Sequence, residues 1–329
     1  MICHFIGLFK EEKLVGIALS QFLDLNKLAS FGERDKCLKA SVRNIIFKNF
    51  SSHVLFIGNN MLTGQNAYYF SDEINCHEAL KSLKKATETL KEIFKNTGHK
   101  IHVTSFKDFT SEEIAGFENA TFENHYKFST QPNMVFEIRE NWKTFGDYVA
   151  DLSKKYRDQF KRSRKKAEGI TKQKMDLEAI LKYEETIYAL YFHVAKNAPF
   201  NTFFLAKNHF SVFKEVLQDK FLFYGYFIDD KLVGFNTLIK NGESMDTYFL
   251  GYDETIQKEK MLYLNMLYDM IGYSINQGFK EIVFARTALE IKSSVGAKPL
   301  EMFGYIQHSN SLINRKIDKI FNYLEPKTE

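Results

Sequence analysis

The chain has 329 residues, 44% of them hydrophobic, with 32 Phe, 17 Tyr and a single Trp, which is enough for two domains with real cores. Its 45 Lys and Arg stand against 41 Asp and Glu, a mildly basic balance that is weak evidence for a polyanionic partner. Cys3, Cys37 and Cys76 follow no motif spacing, which excludes a disulfide framework and a zinc cluster and predicts reduced thiols in a cytoplasmic protein. No stretch approaches the ~18–20 apolar residues of a membrane span. The opening MICHFIGLFKEEK lacks the basic region and cleavage site of a signal peptide.

Residues 7–16 read GLFKEEKLVG and residues 225–234 read GYFIDDKLVG. Six of ten positions are identical: Gly7/Gly225, Phe9/Phe227, Lys13/Lys231, Leu14/Leu232, Val15/Val233 and Gly16/Gly234. Each copy is an apolar run, an acidic turn and a second apolar run, which predicts a β-hairpin. The copies lie too far apart for a solenoid period and suit two copies of one domain, dividing the chain at 1–133 and 134–329. Coincidence between two KLVG hairpins is the plainer alternative.

Between the hairpins the pattern predicts a helix over 35–49, a strand over 54–57, a charged helix over 78–95, a strand over 100–106 and a short helix opening at Ser111. Alternation in MVFEIR makes 134–139 a strand. One periodic helix follows, capped by Thr144 with Asp147 and ended by Gly169, with Phe145, Tyr148, Val149, Leu152, Tyr156 and Phe160 at helical spacing. Helices over 177–195 and 207–217 lead to the second hairpin at 222–239. After the Asn241-Gly242 turn come a strand over 246–251, a long apolar helix over 257–277, and a strand over 281–286. A Thr287-x-x-Glu290 capping box then opens a short helix ending near Gly296, and 301–307 is the last strand.

That order, a β-hairpin and a third strand feeding a long helix, resembles the GNAT acyltransferase fold. The duplication resembles its tandem FemAB-like and BioF-associated acetyltransferase-like branch. Residues 142–169, WKTFGDYVADLSKKYRDQFKRSRKKAEG, look like the helix that opens the second unit there. Residues 284–299, FARTALEIKSSVGAKP, are similar to its strand–loop in which a lysine precedes a glycine by four residues, Lys292 and Gly296. The resemblance implies an α/β (α+β) fold of two GNAT-like units with mixed, mostly antiparallel sheets flanked by helices. The first unit would be N-terminally incomplete and the second would carry the active site. It also implies an acyltransferase that moves an acyl or aminoacyl group onto an amine of a cell-envelope, polysaccharide or lipid precursor by direct attack, without a covalent enzyme intermediate. A conventional acetyl-CoA-dependent N-acetyltransferase and a non-catalytic GNAT-like binding or scaffold protein are the alternatives.

Two departures bear on the donor. Ordinary GNAT enzymes place a Gly-rich turn before the long helix, and its N–H groups cradle the coenzyme A pyrophosphate. Here that position reads DETIQKEK over 253–260, without glycine and with Asp253, Glu254 and Glu259. The residue before Lys292 is Ile291, where FemAB proteins carry an aromatic. No tightly bound cofactor is expected, and the donor is an acyl-CoA, an acyl-carrier protein or an aminoacyl-tRNA.

Amine attack needs a donor to the developing oxyanion, a way to take a proton, and positioning. By carry-over from the FemAB lysine, Lys292 would polarise the acyl carbonyl or bind an anionic group; an exposed helix lysine is the bland alternative. Arg286, ending an apolar strand, would meet a substrate anion or Glu290 four residues on. Asp246 and Tyr248 share a strand face by the period-two rule; as the GNAT resemblance places this strand beside the acyl group, Asp246 would be a base and Tyr248 or Tyr252 a proton donor. Against that stand an edge carboxylate and core tyrosines. His193 falls on the apolar face of its helix and Asn236 interrupts the apolar run LVGFNTL; each would contact substrate or simply pack. Eight cations crowd 154–166, among them Lys161, Arg162, Arg164, Lys165 and Lys166. They form a solvated face or a dock for an anionic partner: tRNA, an acidic acyl-carrier protein, or lipid at a membrane surface. No H-x-x-x-H, G-x-S-x-G or P-loop pattern occurs, and no metal is expected.

Overall fold

The computed structural model describes residues 1–27, 51–115, 122–198 and 203–319. The helix expected over 35–49, with Cys37, lies outside these residues. The chain divides into two compact units, residues 1–132 with 301–329, and residues 133–300.

In the first unit, β1 (Ile2–Lys10) and β2 (Lys13–Asp24) form the expected hairpin. The sheet continues through β3 (His53–Ile57), β5 (Val103–Phe109) and β12 (Lys298–His308), with β4 (Tyr68–Phe70) paired to β2. Helix α1 (Cys76–Asn96) starts where the Asn75 side chain accepts a hydrogen bond from the His77 N–H, the usual N-cap device. Its apolar stripe, Leu80, Leu83 and Phe94, packs with Phe22, Leu55, Ile57, Phe106 and Phe109 of the strands. A short helix, α2 (Ser111–Ala115), follows β5.

In the second unit the strand order is β6 (Tyr126–Glu137), β11 (Glu281–Ala285), β10 (Ser244–Tyr252), β9 (Lys231–Asn241), β8 (Phe221–Ile228) and β7 (Thr171–Lys174). Only β10 and β11 are parallel; the other neighbours run antiparallel. One face is covered by α9 (Leu262–Asn276), whose Leu262, Met266, Leu267, Met270, Ile271 and Ile275 are buried. The other face receives α5 (Leu177–Lys182), α6 (Glu184–Asn197) and α7 (His209–Leu217). There Phe210 packs on Phe223 and Phe235.

The two hairpins match in detail. Gly7 faces Ile17 and Phe9 faces Leu14; Gly225 faces Phe235 and Phe227 faces Leu232. Both carry a bulge at the same place, between Leu8 and Phe9 and between Tyr226 and Phe227. Both turn on two acids at positive φ, Glu11 and Glu12 (47° and 66°), Asp229 and Asp230 (45° and 62°). Positive φ at both central residues is the signature of a type I′ turn.

Four elements differ from the sequence expectations. The helix expected over 144–169 is two, α3 (Phe145–Asp151) and α4 (Lys154–Lys166), because Leu152 is extended. Arg157 Nη2 donates to the Ala150 and Leu152 carbonyls at 2.9 and 2.8 Å, satisfying oxygens the break sets free. The helix over 177–195 is likewise α5 and α6, joined at Tyr183. The helix over 257–277 begins earlier as α8 (Glu254–Lys260) and breaks at Met261, whose backbone is left-handed. The capping box at Thr287 does not form. Helix α10 (Leu289–Ser294) starts from Ala288, at φ 48°, without a side-chain cap. Among the described residues no helix is long and apolar enough to cross a membrane.

Candidate active site at the ends of two parallel strands

Strands β10 and β11 pair only from Ser244–Asp246 to Glu281–Val283. Beyond that, β10 shifts register against β9 between Thr247 and Leu250, and β11 shifts against β6 between Val283 and Ala285. The Thr247 hydroxyl donates to the Val283 carbonyl at 3.0 Å, closing the last rung with a side chain. The carboxyl ends of two parallel neighbours are thus left unjoined, the kind of place where open α/β sheets gather ligands.

At the β11 end the backbone is strained. Ala285, Thr287 and Ala288 all have positive φ, 60°, 67° and 48°. Lys292 holds this turn from beneath. It is only 4% exposed, and Nζ donates to the Ala285 and Arg286 carbonyls at 3.2 and 2.7 Å. Burial lowers its pKa from 10.5 to about 7. Lys292 is therefore not an exposed helix lysine. Arg286 is half-buried, and burial lowers its pKa as well. Glu290 is exposed.

At the β10 end, Asp253 caps α8, its Oδ1 accepting from the Thr255 and Ile256 N–H groups at 2.9 and 3.2 Å. At the start of α9, Gln257 Oε1 accepts from Tyr263 N–H at 3.2 Å. Amides that could face a phosphate are thus occupied by the protein's own side chains. Tyr252 lies beside Tyr263, and its pKa is raised by burial and by the Glu254 charge. His193 is exposed, 3.8 Å from Glu254, so the apolar placement expected for it is corrected: α6 turns it outward toward α8.

Asp246 and Tyr248 sit further back. Asp246 is buried and accepts from Asn241 Nδ2 at 3.0 Å; burial, with Glu281 adding, raises its pKa. Tyr248 packs among Phe213, Phe221 and Phe249, and its hydroxyl shares a hydrogen bond of 3.0 Å with His209 Nε2. Burial raises the phenol's pKa and lowers that of His209 to about 4. Asn236 is 1% exposed, and neither of its side-chain polar atoms has a hydrogen-bond partner. The chemically poised residues therefore form two groups, Lys292 with Arg286 at β11 and Tyr252, Asp253 and His193 at β10. Asp246 and Tyr248 are tied into internal bonds.

No protein-family model and no curated protein matches the sequence. Solved structures do match. FemX has a TM-score of 0.59 at 11% identity, over 96% of this chain and 90% of that one. L-PGS from Bacillus licheniformis has 0.52 at 9% identity, over 98% and 89%. The C-terminal domain of a protein assigned as a lysylphosphatidylglycerol synthetase from Agrobacterium fabrum has 0.50 at 7%, over 82% and 81%. The chain has the FemAB-like, tandem-GNAT fold.

In this chain the basic helix α4 is anchored through residues that the charge pattern did not single out. Asp269 of α9 binds Arg164 at 2.7 Å, accepts from the Tyr226 hydroxyl at 3.0 Å, and lies 3.8 Å from Lys172. Asn265 donates to the Ser163 carbonyl at 3.0 Å, and Phe160 packs on Tyr268. Arg164 is thus taken up by an internal carboxylate, whereas Lys161, Arg162, Lys165 and Lys166 are exposed. No sequence signal marked Asp269 or His209, since each depends on partners distant in the chain. A cavity of about 750 Å³ lies in the first unit, lined by Lys84, Lys91, Lys95, Lys100, Asn124 and Arg315 among others. Lys91 and Lys95 there are paired with Glu88 and Glu92. Among the described residues no group of three His, Cys, Asp or Glu side chains is placed to hold a metal.

Proposed function

We propose that the chain is an acyl or aminoacyl transferase whose donor is bulky and anionic, an aminoacyl-tRNA or a charged acyl-carrier protein. The acceptor is an amine on a cell-envelope, polysaccharide or lipid precursor. The observation that carries this reading is the self-capped helix start: Asp253 occupies the α8 amides that a coenzyme A pyrophosphate would need. A donor without that anchor needs another, and the exposed Lys161, Arg162, Lys165 and Lys166 supply four cations on one short helix. The amine attacks the acyl carbon directly, the donor's leaving group departs with the bonding pair and takes up the proton the amine sheds, and no acyl-enzyme forms. In its protonated form, which predominates below about pH 7, Lys292 has three N–H donors, two of them spent on carbonyls. The third is the group assigned to the developing oxyanion or to a substrate anion. Tyr252, Arg286 and Glu290 are assigned to substrate contact around the same strand ends.

Thermal-shift and native mass-spectrometry titration against acetyl-CoA, long-chain acyl-CoA, acyl-carrier protein and aminoacyl-tRNA tests the reading, since a ligand of the native state raises its midpoint. A shift with tRNA or carrier protein, lost when the four exposed cations become Gln, is expected. A shift with acetyl-CoA alone would favour the conventional acetyltransferase, and silence with every donor would favour a binding role. Asp253→Ala sharpens the test. It should cost about 1 kcal/mol of stability through the lost cap and should improve binding of coenzyme A.

A further inference from the structure

The two hairpins are alike in register, bulge and turn, yet among the described residues one face of the first is bare where the second is covered. In the second hairpin Phe223, Phe227, Leu232 and Phe235 are all at most 5% exposed. Phe210 lies on Phe223 and Phe235, and Tyr183 on Phe227. The equivalent residues of the first hairpin are Phe5, Phe9, Leu14 and Ile17, exposed by 86, 67, 51 and 52%. The register joins them: Phe9 faces Leu14, Gly7 faces Ile17, and Ile17 faces Tyr69 of β4, itself 67% exposed. The opposite face of the same strands buries Leu8, Val15, Ala18 and Phe22. A strand apolar on both faces is built to be covered on both.

We propose that this face is covered by a second copy of the chain, the two hairpins packing face to face across a twofold axis. At these exposures the five side chains present about 600 Å² per copy. Two copies would then remove about 1,200 Å² from water, the lower end of the range for stable, specific interfaces. The rim favours a copy of itself over a lipid surface. Lys10 and Lys13 flank Glu11 and Glu12 at the tip, and Lys13 is already paired with Glu73 at 2.6 Å. Across a twofold axis Lys10 can meet an acid of the other copy, whereas an anionic bilayer would meet Glu11 and Glu12.

The test is sedimentation of the full chain from 1 to 100 µM. A dimer is expected, and the double variant Phe5→Lys with Ile17→Lys should raise its dissociation constant about 30-fold or more. Val216→Lys, a change at an exposed apolar residue of the second unit, should leave it unchanged. Circular dichroism verifies folding of the double variant; Tyr69→Lys gives the same reading if it fails. A wild-type monomer at 100 µM, or a dimer indifferent to these lysines, overturns the proposal. So does a monomer that binds phosphatidylcholine–phosphatidylglycerol vesicles through the same residues.

Discussion

Replacing Lys292 by Met removes the amine and keeps the apolar stem, so it isolates what the buried nitrogen does. With its pKa lowered to about 7 by burial, the amine is largely neutral in the folded state above that pH. The unfolded chain keeps its proton up to about 10.5. Between those values the unfolded state binds more protons, so the wild type gains stability as pH rises and loses it as pH falls toward 7. The slope is about 1.4 kcal/mol per pH unit, and the whole interval spans at most about 5 kcal/mol. The Ala285 and Arg286 carbonyls oppose part of that shift, because they accept from an ammonium too. The Met variant lacks this term, and it also leaves two strand-end carbonyls without their donor. Its stability should therefore lie nearest the wild type's below pH 7, with the gap widening by about 2 kcal/mol or more between pH 7.5 and 9.5. Denaturant unfolding of both proteins across that range measures it. Two curves that stay parallel would refute the argument, since Lys292 would then hold its proton as an ordinary lysine does.

Gly251→Ala should destabilise by about 2–4 kcal/mol. An added Cβ would stand 2.5 Å from Tyr191 N and 2.6 Å from Leu190 C, both backbone atoms of α6 that cannot swing aside. Thermal unfolding reads this, and a loss under 1 kcal/mol would mean that α6 packs more loosely on β10. Arg164→Ala should cost about 1–2 kcal/mol because it removes the nearer cation of Asp269 and leaves only Lys172 at 3.8 Å. Lys165→Ala and Lys166→Ala should stay within about 0.5 kcal/mol. Equal losses at all three would contradict the division of α4 into an anchored side and a free one.

The hairpins, the capping box at Thr144, and the run of three strands into an apolar helix could be read from local chemistry, because each depends on residues a few places apart. The breaks at Leu152, Tyr183 and Met261 could not. Periodicity runs through Leu152 unbroken, and what permits the break is Arg157 reaching back to two carbonyls. Lys292 is singled out only by the resemblance of residues 284–299 to the FemAB-like strand–loop, and its burial and its carbonyl partners come from the strained turn at Ala285–Ala288. The apolar stretch around His193 points to a buried face, whereas the helix turns its imidazole toward Glu254. Asp269 was illegible for a similar reason: one carboxylate in an apolar helix gives no hint of an arginine 105 residues earlier.

The paired acidic turns amount to a matched pair of internal gauges. Four L-residues sit in a backbone region that costs each roughly 1–2 kcal/mol and that Asn-Gly occupies with less strain. Writing Asn-Gly into one hairpin and then into the other would apply nearly the same local relief at two addresses. Any difference in the global response would then report the unit around each turn and not the turn itself. The duplication thus gives this chain something a single-domain protein lacks: a way to ask, with one chemical change made twice, which half unfolds first.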